Sequence, residues 1–436
     1  MRRRISALFF IFVLMAAISV PAFAKTQPLT PIISWTDDPA TTQTIVWRAE
    51  VSSASFVEYA TEAQYSRSGF SGAARAEASC TDVSPDGSGA WRFEAEMTGL
   101  APATRYTYRV GNESGWSEAA SFMTADPAVE SFSFVYMGDI QVVNNAEAEY
   151  ALWGELAQTA YAKAPDIAFG LFGGDIVESG LSLQQFDYFL QAASPVFGSV
   201  ALMPTNGNHE SNFPGGKPEM YLDVFALPRN GPEGFEGEFY SFDYGNCHVT
   251  VVNSWVYSGE QRLTDDDYAR IADWIEDDLR GSGAVWKIVL THIPVYAVHR
   301  DGTSDAMREA WAPIFERNGV SLVFVGHQHV YSRSYPIYDG RIDQENGVVY
   351  VMGVAGQKFY GTADERLSER TVYNVSNYQM IRIDGDTLTL QSFDIDGNEL
   401  DYCVLSPRAS DPQPAGMSML EAFIILWKII LKSMIS

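Results

Sequence analysis

Two histidines, His327 and His329, stand two positions apart in the stretch FVGHQHVYSRS, after the apolar residues Val320, Leu322 and Val323. The chain has only 6 histidines in 436 residues, so this pair is more than composition alone would give. Side chains at positions i and i+2 of an extended segment point the same way. The two imidazoles can therefore serve one site, if the rest of the chain supplies partners for them.

Four further polar clusters, GDIQ, GGDIVE, GNHE and THIP, follow apolar runs in the same way. Together with the histidine pair they offer two carboxylates, one amide and three imidazoles, from Asp139, Asp175, Asn208, His292, His327 and His329. A mixed oxygen and nitrogen set without thiolates suits Zn, Mn or Fe. Two ions about 3.5–4 Å apart fit six ligands better than one ion, because they can share a carboxylate. Asp175, with glycines beside it that allow a close approach of the backbone, is the expected bridge.

The clusters follow strand patterns that alternate with helix patterns. Strands are predicted at SFSFVYMGD, DIAFGLFGGD, VALMPTNGNHE, VWKIVLTH and VSLVFVGH. Helices are predicted between them, over Glu147–Lys163, around Leu183–Leu190, over Asp265–Leu279 and over Met307–Arg317. This alternation predicts a mainly parallel sheet covered by helices, and such sheets place their ligands at the strand ends. The β-rich stretches VVYVMGV, YQMIRI and TLTLQSFDI are expected to add antiparallel strands.

The region from Pro31 to Thr124 has a different pattern, with short alternating runs such as TIVWRAE, SFVEYA and RYTYRV separated by turn residues. This spacing predicts an all-β sandwich. In LAPATRYTYRV a tyrosine follows a Leu-x-Pro turn, which resembles the tyrosine corner of fibronectin type III sandwiches. We expect this tyrosine to be structural.

The first 24 residues predict a secretory signal, with Arg2–Arg4, an apolar run and Ala22-Phe23-Ala24 as the cleavage site. The apolar run is short for the roughly 20 residues that a membrane-spanning helix needs. The formal net charge of −26 argues against nucleic acid as a main partner, so an anionic substrate needs a local positive feature. The 3 cysteines are too few for a disulfide scaffold.

The carboxy-terminal residues divide into a Pro-rich linker at 406–418 and an apolar amphipathic tail at 419–436. Glu421, Lys428 and Lys432 fall on one stripe of a helix in this tail. The tail is too short and too charged for a transmembrane helix. A helix on a membrane surface or a contact with a second copy of the chain competes with a buried docking helix.

The blocks GDIQ, GGDIVE, GNHE, THIP and GHQH, in this order and at these spacings, resemble the five blocks of the metallophosphoesterase (calcineurin-like) superfamily. GHQHVYSRS and the preceding sandwich narrow the resemblance to purple acid phosphatases. Residues 25–127 would then form a fibronectin type III-like N-terminal domain, and residues 128–405 a catalytic αββα sandwich. The family implies that Asp139, Asp175 and His329 bind one metal. It implies a second metal bound by Asp175, Asn208, His292 and His327.

The resemblance also implies an activity, that of an exported phosphatase for small phosphomonoesters in which a metal-bound hydroxide attacks phosphorus. The expected cofactors are two transition-metal ions, Fe, Zn or Mn. A phosphodiesterase of the same superfamily is the nearest alternative. A non-catalytic adhesion protein is a third, which the loss of a metal ligand would favour.

Two positions depart from the family, because Glu178 replaces a metal-binding tyrosine and Gln141 stands where related enzymes have Gly or His. Gln141 either binds the first metal through its amide oxygen or forms a hydrogen bond to the ligands. The colour of purple acid phosphatases comes from that tyrosine on ferric iron, so a pale enzyme is expected. The resemblance gives His209 and His299 the tasks of orienting the phosphate and protonating the leaving alkoxide. His248, inside CHVTVVN, is expected to be structural.

Overall fold

The computed structural model describes residues 29–84, 90–142, 146–164, 166–211, 216–257, 263–299, 302–362 and 364–410. The predicted signal at 1–24 and the predicted tail at 419–436 lie outside these ranges. None of the helices in these ranges is both long and apolar enough to cross a membrane.

The amino-terminal part is the β-sandwich that the sequence predicts. Its described elements are β1 (Leu29–Ser34), β2 (Gln43–Ala49), β3 (Phe56–Thr61), α1 (Glu62–Ser68), β4 (Ala74–Glu77), β5 (Ser79–Asp82), β6 (Trp91–Met97), β7 (Arg105–Asn112), β8 (Gly115–Trp116) and β9 (Ala120–Met123). One sheet has the order β1-β2-β6-β5, and the other has the order β4-β3-β7-β8 with β9 also on β7. The tyrosine after the Leu-x-Pro turn is structural, because the hydroxyl of Tyr106 accepts the N–H of Ala101 at 2.9 Å.

The second part alternates strands and helices. Its described elements are β10 (Ser131–Met137), α2 (Ala146–Lys163), β11 (Ile167–Phe172), α3 (Leu183–Ala192), α4 (Ser194–Phe197), β12 (Ala201–Pro204), α5 (Glu219–Val224), β13 (Tyr240–Tyr244), β14 (Cys247–Val252), a 3-10 helix (Ser254–Tyr257), α6 (Asp265–Gly281), β15 (Trp286–Thr291), α7 (Gly302–Arg317), β16 (Leu322–Val325), β17 (Tyr331–Ser334), β18 (Ile337–Tyr338), β19 (Arg341–Ile342), β20 (Val349–Met352), β21 (Ser368–Val372), β22 (Asn377–Asp384), β23 (Thr387–Asp394) and β24 (Glu399–Leu405).

Two main sheets form, as the αββα resemblance implies, whereas strand and helix alternation alone suggests one. The six-stranded sheet has the order β12-β11-β10-β22-β23-β24, with β10 to β12 parallel and the last three strands antiparallel. The seven-stranded sheet has the order β13-β14-β15-β16-β20-β17-β21, with four parallel strands at its centre. The short strands β18 and β19 form a separate hairpin.

Aromatic side chains join the two sheets. Tyr136 on β10 stacks on Phe324 of β16 with ring centroids 4.4 Å apart, and its hydroxyl donates to the carbonyl of Val325 at 2.7 Å. Burial of such rings is a major source of stability, and the buried hydroxyl requires the partner that it has. This packing sets the carboxyl ends of β10 to β12 beside those of β15 and β16.

The sandwich packs directly into the core of the second domain. Trp35, which follows β1, is 3% exposed. Its ring centroid lies within 5.6 Å of the ring centroids of Phe169, Phe242 and Tyr244. The hydroxyl of Tyr108 on β7 also donates to the carbonyl of Gly198 across the junction. Because a buried tryptophan of one domain fills the core of the other, we infer that the two domains stabilise each other.

His248 on β14 has the structural position that its sequence context predicts, and it gives a testable dependence of stability on pH. Its ring contacts Asp243 at 2.7 Å and Asp278 of α6 at 3.0 Å. Burial alone would lower the pKa of His248, but hydrogen bonds to these two carboxylates raise it from 6.5 to about 9. The protonated ring therefore stabilises the folded chain fully below about pH 6.5, and this contribution is lost as the pH rises through about 9.

We expect His248→Gln to lower the free energy of unfolding by up to about 3 kcal/mol at pH 6, and by much less at pH 10. Urea unfolding of both proteins at pH 6, 8 and 10 measures this difference. A difference that stays constant over this range would show that the ring contributes packing rather than charge.

Candidate metal centre

The loops that follow β10, β11, β12, β15 and β16 converge on one cavity of about 810 Å³. Seven of the nine residues predicted from the sequence line it, namely Gln141, Asp175, Asn208, His209, His299, His327 and His329. Asp139 and His292 are fully buried, and their contacts below join them to the same cluster. The structure thus brings the predicted residues to one edge of the paired sheets.

Two groups of ligand atoms are suited to hold a metal, and Asp175 belongs to both. Asp139, Asp175 and His329 form the first group, and Asp175, His292 and His327 form the second. Within each group the ligand atoms lie within 4.8 Å of one another. The second group also contains an amide, because Oδ1 of Asn208 lies 3.1 Å from Nε2 of His292 and 3.0 Å from Nδ1 of His327.

The backbone at four of these positions is strained. Asp139, Asp175, His327 and His329 have φ angles of 51°, 49°, 70° and 47°, in the left-handed region that residues with a Cβ rarely adopt. Such strain persists only where the surrounding structure imposes it, and it concentrates at functional sites. Here each sharp turn at a strand end points a ligand side chain into the cluster.

Two glycines leave room for the carboxylates. A Cβ at Gly326 would lie 2.5 Å from Oδ2 of Asp139, and a Cβ at Gly207 would overlap Oδ1 of Asp175. The absence of a side chain at these positions also lets backbone groups reach the carboxylates. The N–H of His327 donates to both oxygens of Asp139 at 2.9 Å, and the N–H of His209 donates to Oδ1 of Asp175 at 3.0 Å.

Two of the imidazoles are oriented by carbonyl groups. Nδ1 of His292 lies 2.7 Å from the carbonyl oxygen of Gly173, and Nδ1 of His329 lies 2.8 Å from that of Lys358. A carbonyl only accepts hydrogen bonds, so Nδ1 carries the proton in both rings. In the neutral rings Nε2 then presents its lone pair, as metal-binding histidines do.

The buried charges also suit a cation. Burial raises the pKa of Asp139. Burial also acts to raise the pKa of Asp175, but the charge and hydrogen bond of His292, together with the other nearby histidines, outweigh it and lower the pKa. Burial alone would lower the pKa of His292, but Asp175 raises it to about 9. Burial lowers the pKa of His329 to about 4. Without a metal, the cluster therefore keeps a proton on His292 to balance Asp175, and a bound cation can take over that role.

Gln141 has its amide group among the ligand atoms of the first group. Its Nε2 lies 3.3 Å from Oδ2 of Asp175 and 3.3 Å from Nε2 of His329, while its Oε1 is buried without a hydrogen-bond partner. Rotation of the amide by half a turn exchanges the two atoms. The unpartnered oxygen would then face the first group, where a cation would satisfy it. The residues present therefore fit a metal.

The remaining predicted residues differ in their orientation. Nδ1 of His209 donates to the carbonyl of Glu178 at 2.7 Å, and its Nε2 lies 3.9 Å from Oδ2 of Asp175. Nε2 of His299 instead contacts the carbonyl of Gly361. The carboxylate of Glu178 belongs to neither group of ligand atoms. His209 is thus the ring that the structure directs towards the metal cluster.

Sequence reasoning missed the part played by Glu210. Its buried carboxylate accepts the N–H groups of Asp175 at 2.9 Å, Ile176 at 2.8 Å, Val177 at 3.1 Å and Gly207 at 2.6 Å. It therefore ties the loop after β11 to the loop after β12. The signal was its place in GNHE, directly after Asn208 and His209.

Comparison with known proteins agrees with this arrangement. Residues 28–124 match the family model of the purple acid phosphatase N-terminal domain, and residues 132–331 match that of the calcineurin-like phosphoesterases. Purple acid phosphatase 15 of Arabidopsis thaliana is 26% identical over 294 residues, covering 60% of this chain and 53% of that protein. Acid phosphatase type 7 of Mus musculus is 25% identical over 264 residues, covering 56% of this chain and 57% of that protein. The chain thus spans a little over half the length of these relatives.

Solved structures share the fold. The purple acid phosphatase isolated from yellow lupin (Lupinus luteus) seeds has a TM-score of 0.74 at 18% identity, covering 91% of this chain and 78% of that chain. A structure of PhoD has a TM-score of 0.63 at 14% identity, covering 95% of this chain and 99% of that chain. This chain therefore combines a purple acid phosphatase N-terminal domain with a calcineurin-like phosphoesterase domain, and it has the fold of the lupin structure.

Proposed function

We propose that this chain is an exported, metal-dependent phosphatase that hydrolyses small phosphomonoesters. The observation that carries the proposal is the convergence of the two ligand groups, with Asp175 common to both, on one cavity. Relatives named purple acid phosphatase and acid phosphatase support the same reaction class. The amino-terminal signal pattern supports export.

Two transition-metal ions, Fe, Zn or Mn, are the cofactors of this proposal. The first would be held by Asp139, Asp175 and His329, with Gln141 as a further oxygen ligand. The second would be held by Asp175, Asn208, His292 and His327. When bound, such ions supply Lewis acidity, because they lower the pKa of water and neutralise phosphoryl oxygens.

Residues of the chain can supply the proton that the leaving group needs. As water adds to phosphorus and the ester bond breaks, the leaving oxygen needs a proton. His209 is the proposed donor through Nε2, because its Nδ1–H is held by the carbonyl of Glu178 and Nε2 is left to face the cavity. His299 lines the same cavity, but its Nε2 contacts the carbonyl of Gly361 and must turn to take part.

The proposed partners are a small phosphorylated substrate and, through the tail, a membrane surface or a second copy of the chain. A small phosphorylated substrate suits the cavity, and the acidic composition argues against nucleic acid. The tail at 419–436 would attach the enzyme to a membrane surface or to a second copy, since its sequence is amphipathic.

The test uses the mature protein reconstituted with Zn, Mn or Fe. We expect it to bind about two ions per chain, measured by mass spectrometry, and to hydrolyse 4-nitrophenyl phosphate faster than bis(4-nitrophenyl) phosphate. A chelator should abolish the activity, and added metal should restore it. A protein that takes up no metal would refute the proposal, and a faster diesterase would replace it with the phosphodiesterase alternative.

A further inference from the structure

The segment that follows β20 forms one wall of the cavity, and backbone groups of this segment contact two of the predicted metal ligands, His329 and Asp139. The carbonyl of Lys358 accepts Nδ1–H of His329 at 2.8 Å, and the N–H of Tyr360 donates to the carbonyl of His329 at 3.1 Å. The N–H of Gly356 also donates to the carbonyl of Asp139 at 2.9 Å. Because three contacts fix this segment to the ligand loops, the side chains that it carries have defined positions at the mouth of the site.

Lys358 brings a positive charge to this mouth. Among the described residues that line the cavity, it is the only lysine or arginine. Its ammonium group lies 5.7 Å from the ring centroid of Tyr360. In a chain with a formal net charge of −26, this lysine adds a positive charge to that of the proposed metal ions at the site where an anionic substrate would bind.

Lys358 lines the same cavity as His209, the proposed proton donor to the leaving group. Oε2 of Glu178 lies 3.8 Å from Nδ1 of His209, and the charges of Glu178 and Asp175 both favour the positive charge of Lys358. In the proposed reaction His209 protonates the leaving oxygen. A group on the leaving side of a substrate would therefore be within the field of Lys358.

We propose that Lys358 determines substrate specificity by binding an anionic group on the leaving side, so that the preferred substrates are phosphomonoesters whose leaving group carries a second phosphate. This inference rests on the proposed function. Half-exposed Tyr360 and partly buried Phe359 add apolar surface on the same wall, against which the carbon skeleton of such a substrate can lie. A charge-assisted contact of this kind favours the bisphosphate over the monophosphate of the same skeleton.

The experiment compares fructose 6-phosphate with fructose 1,6-bisphosphate, which differ only in the second phosphate. We expect the wild-type holoenzyme to prefer the bisphosphate in kcat/KM by roughly tenfold or more. Lys358→Gln should remove most of this preference through KM, and Lys358→Arg should retain it. Glu178→Gln should increase the preference, because it removes a competing negative charge.

Lys163→Gln is the matched control. Lys163 also lies over an aromatic ring, 3.8 Å from the centroid of Phe393, but it does not line the cavity. This variant should keep the wild-type preference. If Lys358→Gln lowers kcat/KM equally for both sugars, or leaves the preference intact, the inference is wrong.

A binding measurement separates this inference from the proposed function. Calorimetric titration of the metal-loaded protein with inorganic phosphate and with pyrophosphate requires no turnover. We expect tighter binding of pyrophosphate in the wild type and loss of that difference in Lys358→Gln. If the wild type hydrolyses nothing but binds pyrophosphate more tightly than phosphate, and Lys358→Gln loses that difference, the phosphatase proposal is refuted and the anion site is supported. If the wild type binds the two anions equally, the anion site is refuted.

Discussion

Asp175→Asn is expected to lower the rate of phosphoester hydrolysis by about 10³-fold or more and to reduce the metal content from about two ions per chain towards zero. Asp175 is common to both ligand groups, and its Oδ2 lies 3.2 Å from Nε2 of His292. An asparagine of nearly the same shape keeps the volume and removes the negative charge that two cations would share. Mass spectrometry of the reconstituted variant and an assay with 4-nitrophenyl phosphate measure both effects.

Asn208→Ala gives the comparison within the site. Among the described residues, the hydrogen-bond contacts of Asn208 Oδ1 are with two members of the second group, His292 and His327. We therefore expect about one ion to remain and the rate to fall by at least about 10²-fold. Equal loss of metal in the two variants would contradict the assignment of Asp175 as the shared ligand.

Asp401→Asn is the control outside the site. Burial opposes ionisation of Asp401, but its hydrogen bonds with Arg333 and Tyr331 lower its pKa. The side chain is buried and does not line the cavity. Its replacement should cost stability and leave the metal content at about two ions per chain.

The sequence predicts the part of this site that depends on strand ends. The apolar runs before Asp139, Asp175 and His292 identify buried strands, and parallel strands that alternate with helices end at the same edge of a sheet. The residue types then indicate a metal, because carboxylate, amide and imidazole groups have little other reason to follow buried strands in succession. The expectation that these side chains meet needed no knowledge of the strand order.

Features that depend on long-range pairing were not predicted. The run at β13, Tyr240–Tyr244, adds an edge strand that was not identified in advance. The positions of Lys358 and Tyr360 follow from contacts with His329, and nothing in VAGQKFYG itself indicates a site. The periodicity of apolar residues identifies a helix or strand and its buried face, but it does not identify the loop that packs against that helix or strand.

The role of Glu210 is also not predictable from local sequence, because it depends on hydrogen bonds to a distant loop. Oε2 accepts the N–H groups of Asp175 and Gly207, and Oε1 accepts those of Ile176 and Val177. Burial, together with the charge of Asp175, raises the pKa of Glu210. All four neighbours are nevertheless donors, so the ionised carboxylate is the form that satisfies them.

Glu210→Gln is therefore expected to be strongly destabilising although it keeps the shape of the side chain. Whichever way the new amide turns, its NH₂ group faces two N–H donors and leaves them buried without an acceptor. We expect the free energy of unfolding of the metal-free protein to fall by about 3–5 kcal/mol. We also expect the metal affinity to fall by about 10–100-fold, because the loop that carries Asp175 loses its anchor.

Urea unfolding and metal titration of the same variant measure these two effects, and Glu238→Gln is the matched control. Glu238 is also a buried glutamate, 1% exposed, whose Oε2 accepts the side-chain amide of Asn253 at 2.7 Å. It does not line the cavity, so its replacement should cost stability and keep the metal affinity. If Glu210→Gln loses stability but binds metal as tightly as the wild type, Glu210 supports the fold alone. Both variants remove one buried carboxylate. If only the Glu210 variant binds metal more weakly, a residue outside the ligand set positions Asp175.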